Sequence, residues 1–204
     1  EDTLVKSNIP YKMVGGHKFY DRKEIKDVMA YLRLISNPAD DLSFNRIINV
    51  PKRGIGGVSL QKLYDFSNIY DYSYLDAAKN VSLSPLTGKA ATETGKFAKM
   101  LTDLQQMAEF VSVTEIVEQM LEKTGYITSL EQENTLESET RIANINEFLS
   151  VTQEFDKLTD GESNLTDFLT DLALVSDLDQ VEEEPQSEVT LMTLHAAKGL
   201  EFPV

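Results

Sequence analysis

The sequence predicts a mainly α-helical protein: a multi-helix body of about 165 residues held between two short strand-forming ends. Three observations predict it. Apolar residues recur at three- and four-residue spacing through most of 21–173, and cap and stop residues punctuate those stretches. Strand-like runs stand at the two ends, Ile9 to Val14 and Val189 to Leu194, the second rich in Val, Thr and Leu. The arrangement fits a unit inserted into an α/β domain, whose two ends lie close together because an insertion leaves and re-enters its host at neighbouring points.

Taken in order, Ile9 to Val14 reads as a short strand ending at Gly15-Gly16. Asp21 with Glu24 three residues on starts a helix carrying Ile25, Val28, Met29, Leu32 and Ile35, stopped by Asn37-Pro38. Asp40 or Asp41 opens a second, with Leu42, Phe44, Ile47 and Ile48, closed by Pro51. After Lys52-Arg53-Gly54-Ile55-Gly56-Gly57 comes a third, with Leu60, Leu63, Tyr64 and Phe66. Ser73 caps a short helix through Ala78, and Phe97 to Val111 marks a long one. Thr114 is expected to cap a helix over 116–123, with Gly125 at its C-terminal end. Ile142, Ile145, Phe148, Leu149 and Phe155 mark another long helix, in whose stripe Thr152 is a polar break, and Leu165 to Ala173 a last one. Asp177 to Ser187 reads as a flexible acidic linker, and Val189 to Leu194 as the returning strand.

Composition excludes several classes. The 204 residues contain no cysteine, which removes disulfide scaffolds, thiolate catalysis and zinc ribbons. His17 and His195 are the only histidines, so no metal site is expected. No apolar run approaches the roughly 18 residues of a membrane span, and nothing at the start resembles a signal peptide, so a cytoplasmic, monomeric protein is expected. The opening on Glu1 and the close on Phe202-Pro203-Val204 suggest a piece cut from a longer protein.

Net charge is −15, which alone argues against nucleic acid. The distribution is more informative: residues 1–99 carry 15 Lys+Arg against 11 Asp+Glu, residues 100–204 only 4 against 23. A polyanion-binding surface is therefore expected in the first half.

Three segments carry candidate chemistry. In Lys52–Gly57, glycines allow a tight turn and close approach, the following helix offers unpaired N–H groups and a positive dipole end, and Lys52 and Arg53 add charge. That is the helix-hairpin-helix way of holding DNA backbone without reading bases, although a plain helix–helix turn has the same residue types. Lys89, in Leu86-Thr87-Gly88-Lys89, marks a second such turn, for which an ordinary helix start is the alternative. A phosphate loop is rejected there: six residues separate Gly88 from Gly95-Lys96, where the Walker pattern needs four. In Thr190–Phe202 a strand delivers Thr193 and His195 to a loop with Lys198, Gly199 and Glu201, a position where α/β sheets bind ligands. On residue types alone a structural strand–turn fits equally, and no Ser or Asp at diagnostic spacing supports a general-base role for His195.

The run Thr190–Phe202 resembles motif V of superfamily 1 DNA helicases of the UvrD/Rep group, and 14–41 with 49–56 is similar to the same proteins in the same order. These are ATP-dependent enzymes translocating 3′ to 5′ on single-stranded DNA, with Mg²⁺ at the nucleotide. The resemblance implies that 1–20 and 188–204 are edges of the RecA-like α/β subdomain 2A, and that 21–187 is the helical 2B insertion. It implies duplex-DNA contact for Gly54, Ile55, Gly56 and Gly57, with Lys52 and Arg53 beside them. It also implies single-stranded DNA contact for Thr193 and His195, nucleotide contact for Glu201, and less directly roles for Lys198 and Gly199. Gly15-Gly16 and Asp177–Ser187 are the implied hinges. The sequence has no Walker A lysine and no Walker B Asp-Glu pair, so this piece alone is expected neither to hydrolyse ATP nor to unwind DNA. The rival expectation is a protein-docking module, binding a replication initiator or repair protein through the acidic half around Glu131–Glu139.

Overall fold

The computed structural model describes residues 11–14, 19–160, 163–178 and 189–192. The chain divides into two units, Glu1–Arg22 with Leu174–Val204, and Lys23–Ala173. In the first, strands β1 (Tyr11–Val14) and β2 (Val189–Met192) pair in parallel, Tyr11 opposite Val189 and Val14 opposite Met192. A parallel pair cannot be joined by a hairpin, and here everything between the strands forms the crossover. The acidic segment expected from Asp177 is helical to Leu178; its remainder and Gly15-Gly16 lie outside the described residues.

The second unit is helical, as expected. Its elements are α1 (Lys23–Ser36), α2 (Asp41–Ile47), α3 (Gly57–Tyr70), α4 (Tyr74–Lys79), α5 (Gly88–Met107), α6 (Val113–Thr124), α7 (Tyr126–Glu133), α8 (Leu136–Leu158) and α9 (Leu165–Leu178), whose residues after Ala173 fall in the first unit. Short 3₁₀ turns occupy Phe19–Asp21 and Val81–Leu83. Helix α1 is central: α2, α5, α6 and α8 all pack on it, and Ile25, Val28, Tyr31, Leu32 and Leu34 are wholly buried.

A helix enclosed on several sides has little room for a polar face, and α1 buries two carboxylates that need partners. Asp27 accepts from Arg46 Nε at 2.8 Å and the Tyr126 hydroxyl at 2.8 Å, with Lys23 Nζ 3.2 Å away, so one side chain ties α1 to α2 and α7. Glu24 accepts from Asn144 of α8 at 2.6 Å. Edge-on aromatic pairs fill the core, Phe44 against Phe97 at 5.6 Å and Phe155 against Phe168 at 5.1 Å.

Two expectations are corrected. Ser112, not Thr114, caps α6, accepting from Glu115 N at 3.2 Å; Ser112 with Glu115 three residues on was the available signal. Thr152 does not break the α8 stripe but is wholly buried, meeting the Thr114 hydroxyl at 3.1 Å and donating to Leu149 O at 2.8 Å. Helix α7 is not expected from the sequence pattern: Gly125, at φ +67°, ends α6 and begins α7 at once.

Candidate nucleic-acid interface

The segment 48–56 connects α2 to α3 through a cis Val50–Pro51 peptide. Asn49 organises it. Its side-chain oxygen accepts from Ile55 N at 3.1 Å and its amide donates to Ile55 O at 2.7 Å, closing the loop as a strand pairing would. The Ile55 side chain is buried, so among the four residues of the glycine run this one faces inward with both polar backbone groups taken. Of the four residues for which duplex contact is implied, Ile55 therefore has no free backbone amide to offer.

Arg53 is the larger correction. The sequence places it beside the turn as a free cation, but its guanidinium folds back under the turn. Nη1 lies 2.9 Å from Ile47 O and 3.0 Å from Ile48 O, with Pro51 O and Val50 O at 3.3 and 3.4 Å. Nη2 donates to the Tyr31 hydroxyl at 2.7 Å, and the group sits 4.7 Å from the centre of the Phe97 ring. The carbonyls at the end of α2 lack intrahelical donors and carry the negative end of its dipole, so a planar five-donor cation satisfies them. Tyr31, fully buried on α1, donates in turn to Val50 O.

The outward side is different. Lys52, Gly54, Gly56 and Gly57 are exposed, and no ion pair involves Lys52 among the described residues. Gly54 has φ +75°, open to glycine at little cost. Whereas side chains cap α2, α4, α6 and α8, none caps α3, and no acidic residue stands in its first turn. Nothing lies within 4 Å of where a Cβ would stand on Gly56 or Gly57. The long helix α5 also begins without a side-chain cap or an acidic first turn.

The Lys89 side chain, 35 residues on from Gly54, reaches the first glycine turn. A Cβ on Gly54 would sit 3.7 Å from the Lys89 ammonium. One turn further along α5, Glu93 is held below the usual carboxyl range, first by its hydrogen bond from Lys96 at 2.9 Å and then by the charges of Lys96, Lys89 and Arg53. Thr193, His195, Lys198, Gly199 and Glu201 all lie outside the described residues. Among the described residues no three His, Asp or Glu are grouped to hold a metal, and no helix is long and apolar enough to cross a membrane.

Fold and turn define a class first: a helical protein whose exposed glycine turn joins one helix end closed by its own arginine to another that begins open. The chain belongs to the family of the UvrD-like helicase C-terminal domain, which it matches over residues 1–204. It is 48% identical over 209 residues to an ATP-dependent DNA helicase PcrA of Bacillus subtilis (strain 168). Identity is 51% over 210 residues with the PcrA of Leuconostoc citreum, and 48% over 205 with that of Staphylococcus aureus (strain Mu50 / ATCC 700699). Each match takes in 100% of this chain and 28% of the relative, so the chain spans little more than a quarter of their length.

Proposed function

We propose that this chain is the duplex-engaging regulatory 2B subdomain, bracketed by edges of 2A, of an ATP-dependent 3′–5′ DNA helicase of repair and replication. Residues 1–20 and 188–204 are the 2A edges and 21–187 the 2B unit. The observation that carries the reading is the outward face of the turn: Lys52 and Lys89 stand exposed beside Gly54, Gly56 and Gly57, at the start of a helix that no side chain caps. Backbone amides and two ammonium groups bind sugar–phosphate without reading bases. In the whole enzyme Thr193, His195 and Lys198 contact single-stranded DNA, and Gly199 and Glu201 belong to the nucleotide site, where ATP and Mg²⁺ drive translocation. The chain by itself carries neither ATP hydrolysis nor unwinding, and works in the cytoplasm.

Anisotropy titrations of a fluorescein-labelled duplex with the purified chain test this. Binding is expected to be weak, indifferent to sequence and steeply salt-dependent, since few phosphates are met and residues 100–204 repel DNA. Lys52→Ala with Lys89→Ala should weaken it and flatten the slope of log K against log salt by about 0.9 for each phosphate no longer neutralised. An unchanged isotherm at low salt sinks the assignment.

The excess of 23 acidic over 4 basic residues in 100–204 favours a second reading, a docking surface for a basic replication or repair protein. Charge reversal around Glu131–Glu139 would then abolish partner binding and leave DNA binding intact.

A further inference from the structure

We infer that Arg53 acts on DNA as a positioning residue rather than as a ligand of phosphate: with Tyr31 and Asn49 it forms an internal bracket that fixes the turn in its DNA-binding shape. The inference rests on the duplex-gripping reading above. Two side chains of the loop itself, Asn49 and Arg53, and one from α1, Tyr31, converge on it. Asn49 pins both backbone groups of Ile55, Arg53 pins the carbonyls of Ile47 and Ile48, and Tyr31 holds Arg53 with one lone pair while donating to Val50 O.

Tyr31 is wholly buried on the central helix, so the turn is fastened to the middle of the core rather than to its own two helices alone. This bracket turns Ile55 inward and leaves Lys52, Gly54, Gly56 and Gly57 outward. Among the described residues no carboxylate forms an ion pair with Arg53, whose acceptors are four carbonyls and a hydroxyl, and Glu93 feels its charge only from a distance. Only a planar fork can span this set; an ammonium cannot reach the carbonyls and the hydroxyl together.

A positioning role and a direct phosphate bond give different outcomes. Tyr31→Phe removes one buried oxygen that no DNA can touch, and Arg53→Lys keeps the charge but loses the fork. Both are expected to lower duplex affinity about tenfold, with the salt slope of the wild type retained because the same phosphates are neutralised. Hydrogen exchange at the Ile55 amide should accelerate in Tyr31→Phe while amides of α8 exchange as before. Wild-type affinity in Tyr31→Phe, or an Arg53→Lys variant that binds normally, overturns the inference. If Lys52→Ala with Lys89→Ala also binds normally, it is the duplex reading that has failed instead.

Discussion

The Asp156 carboxylate on α8 accepts hydrogen bonds from the backbone amides of Val113, at 3.1 Å, and Thr114, at 2.9 Å, 43 and 42 residues away in sequence. It closes the N-terminus of α6 from outside, alongside the local cap Ser112. A negative charge at this end also meets the positive pole of the helix dipole. Helices α6 and α8 are thereby locked to one another by backbone as well as by side-chain packing.

Asp156→Ala leaves two first-turn amides without their acceptor and should cost about 1–2 kcal/mol, near the upper end for a helix cap. The measurement is the urea midpoint at neutral pH. Asp156→Asn, which keeps an acceptor, should recover part of the loss; equal losses for both would argue against the capping role.

The Asp27 network predicts an alkaline limit. Tyr126 is pushed well above its usual 10.0, first by burial and then by the charge and hydrogen bond of Asp27; burial raises Tyr31 and Tyr64 as well. An acid whose folded-state pKa is raised contributes stability that is whole below the unfolded value and is lost as pH climbs beyond it. Stability should therefore hold to about pH 10 and fall above it. In Tyr126→Phe the fall should be shallower by about 1.4 kcal/mol per pH unit. Parallel curves for the two proteins between about pH 9 and 11 would contradict this.

Gly54 tests the turn by backbone alone. At φ +75° a Cβ meets nothing closer than the Lys89 ammonium at 3.7 Å, so Gly54→Ala is penalised by conformation rather than collision. The expected loss is about 1–2 kcal/mol in thermal unfolding, with Gly54→Asn losing less because asparagine tolerates this region. Similar stability for alanine and glycine would mean the turn relaxes freely.

Glu93 is a carboxylate set among Lys89, Lys96 and Arg53, where it opposes any polyanion. Glu93→Gln should tighten duplex binding at low salt, and the gain should shrink as salt screens the cluster. Because the carboxyl is held below its usual 4.5, it is ionised throughout neutral pH, and this contribution should not vary between about pH 6 and 8. Weaker binding by Glu93→Gln would show that the cluster is not where DNA sits.

Much of this was written locally. The periodicity of Ile25, Val28, Leu32 and Ile35 placed α1, Ser73 marked a true cap and Gly125 a true helix end, while of the two candidates Asp40 and Asp41 the cap is Asp40. Helix α7 was harder: in eight residues only Tyr126 and Leu130 face inward, too few to show a period. The Lys52–Gly57 turn was legible because its glycines are close together in the chain.

Side-chain destinations were not legible. A sequence pattern shows that Arg53 carries charge next to a glycine turn, and local rules place such a residue in solvent. Only the fold brings Tyr31 and Phe97 beneath it, and only the carbonyls at the end of α2, short of intrahelical donors, make half-burying its guanidinium favourable. The same holds for Lys89, delivered to Gly54 by the packing of α5, and for Asp27, whose burial becomes tolerable once Arg46 and Tyr126 arrive from other helices. Helix, cap and turn depend on neighbours within about four residues, which the sequence states directly. Where a charge finds its partner depends on which surfaces the core brings together, and that was decided by tertiary packing alone.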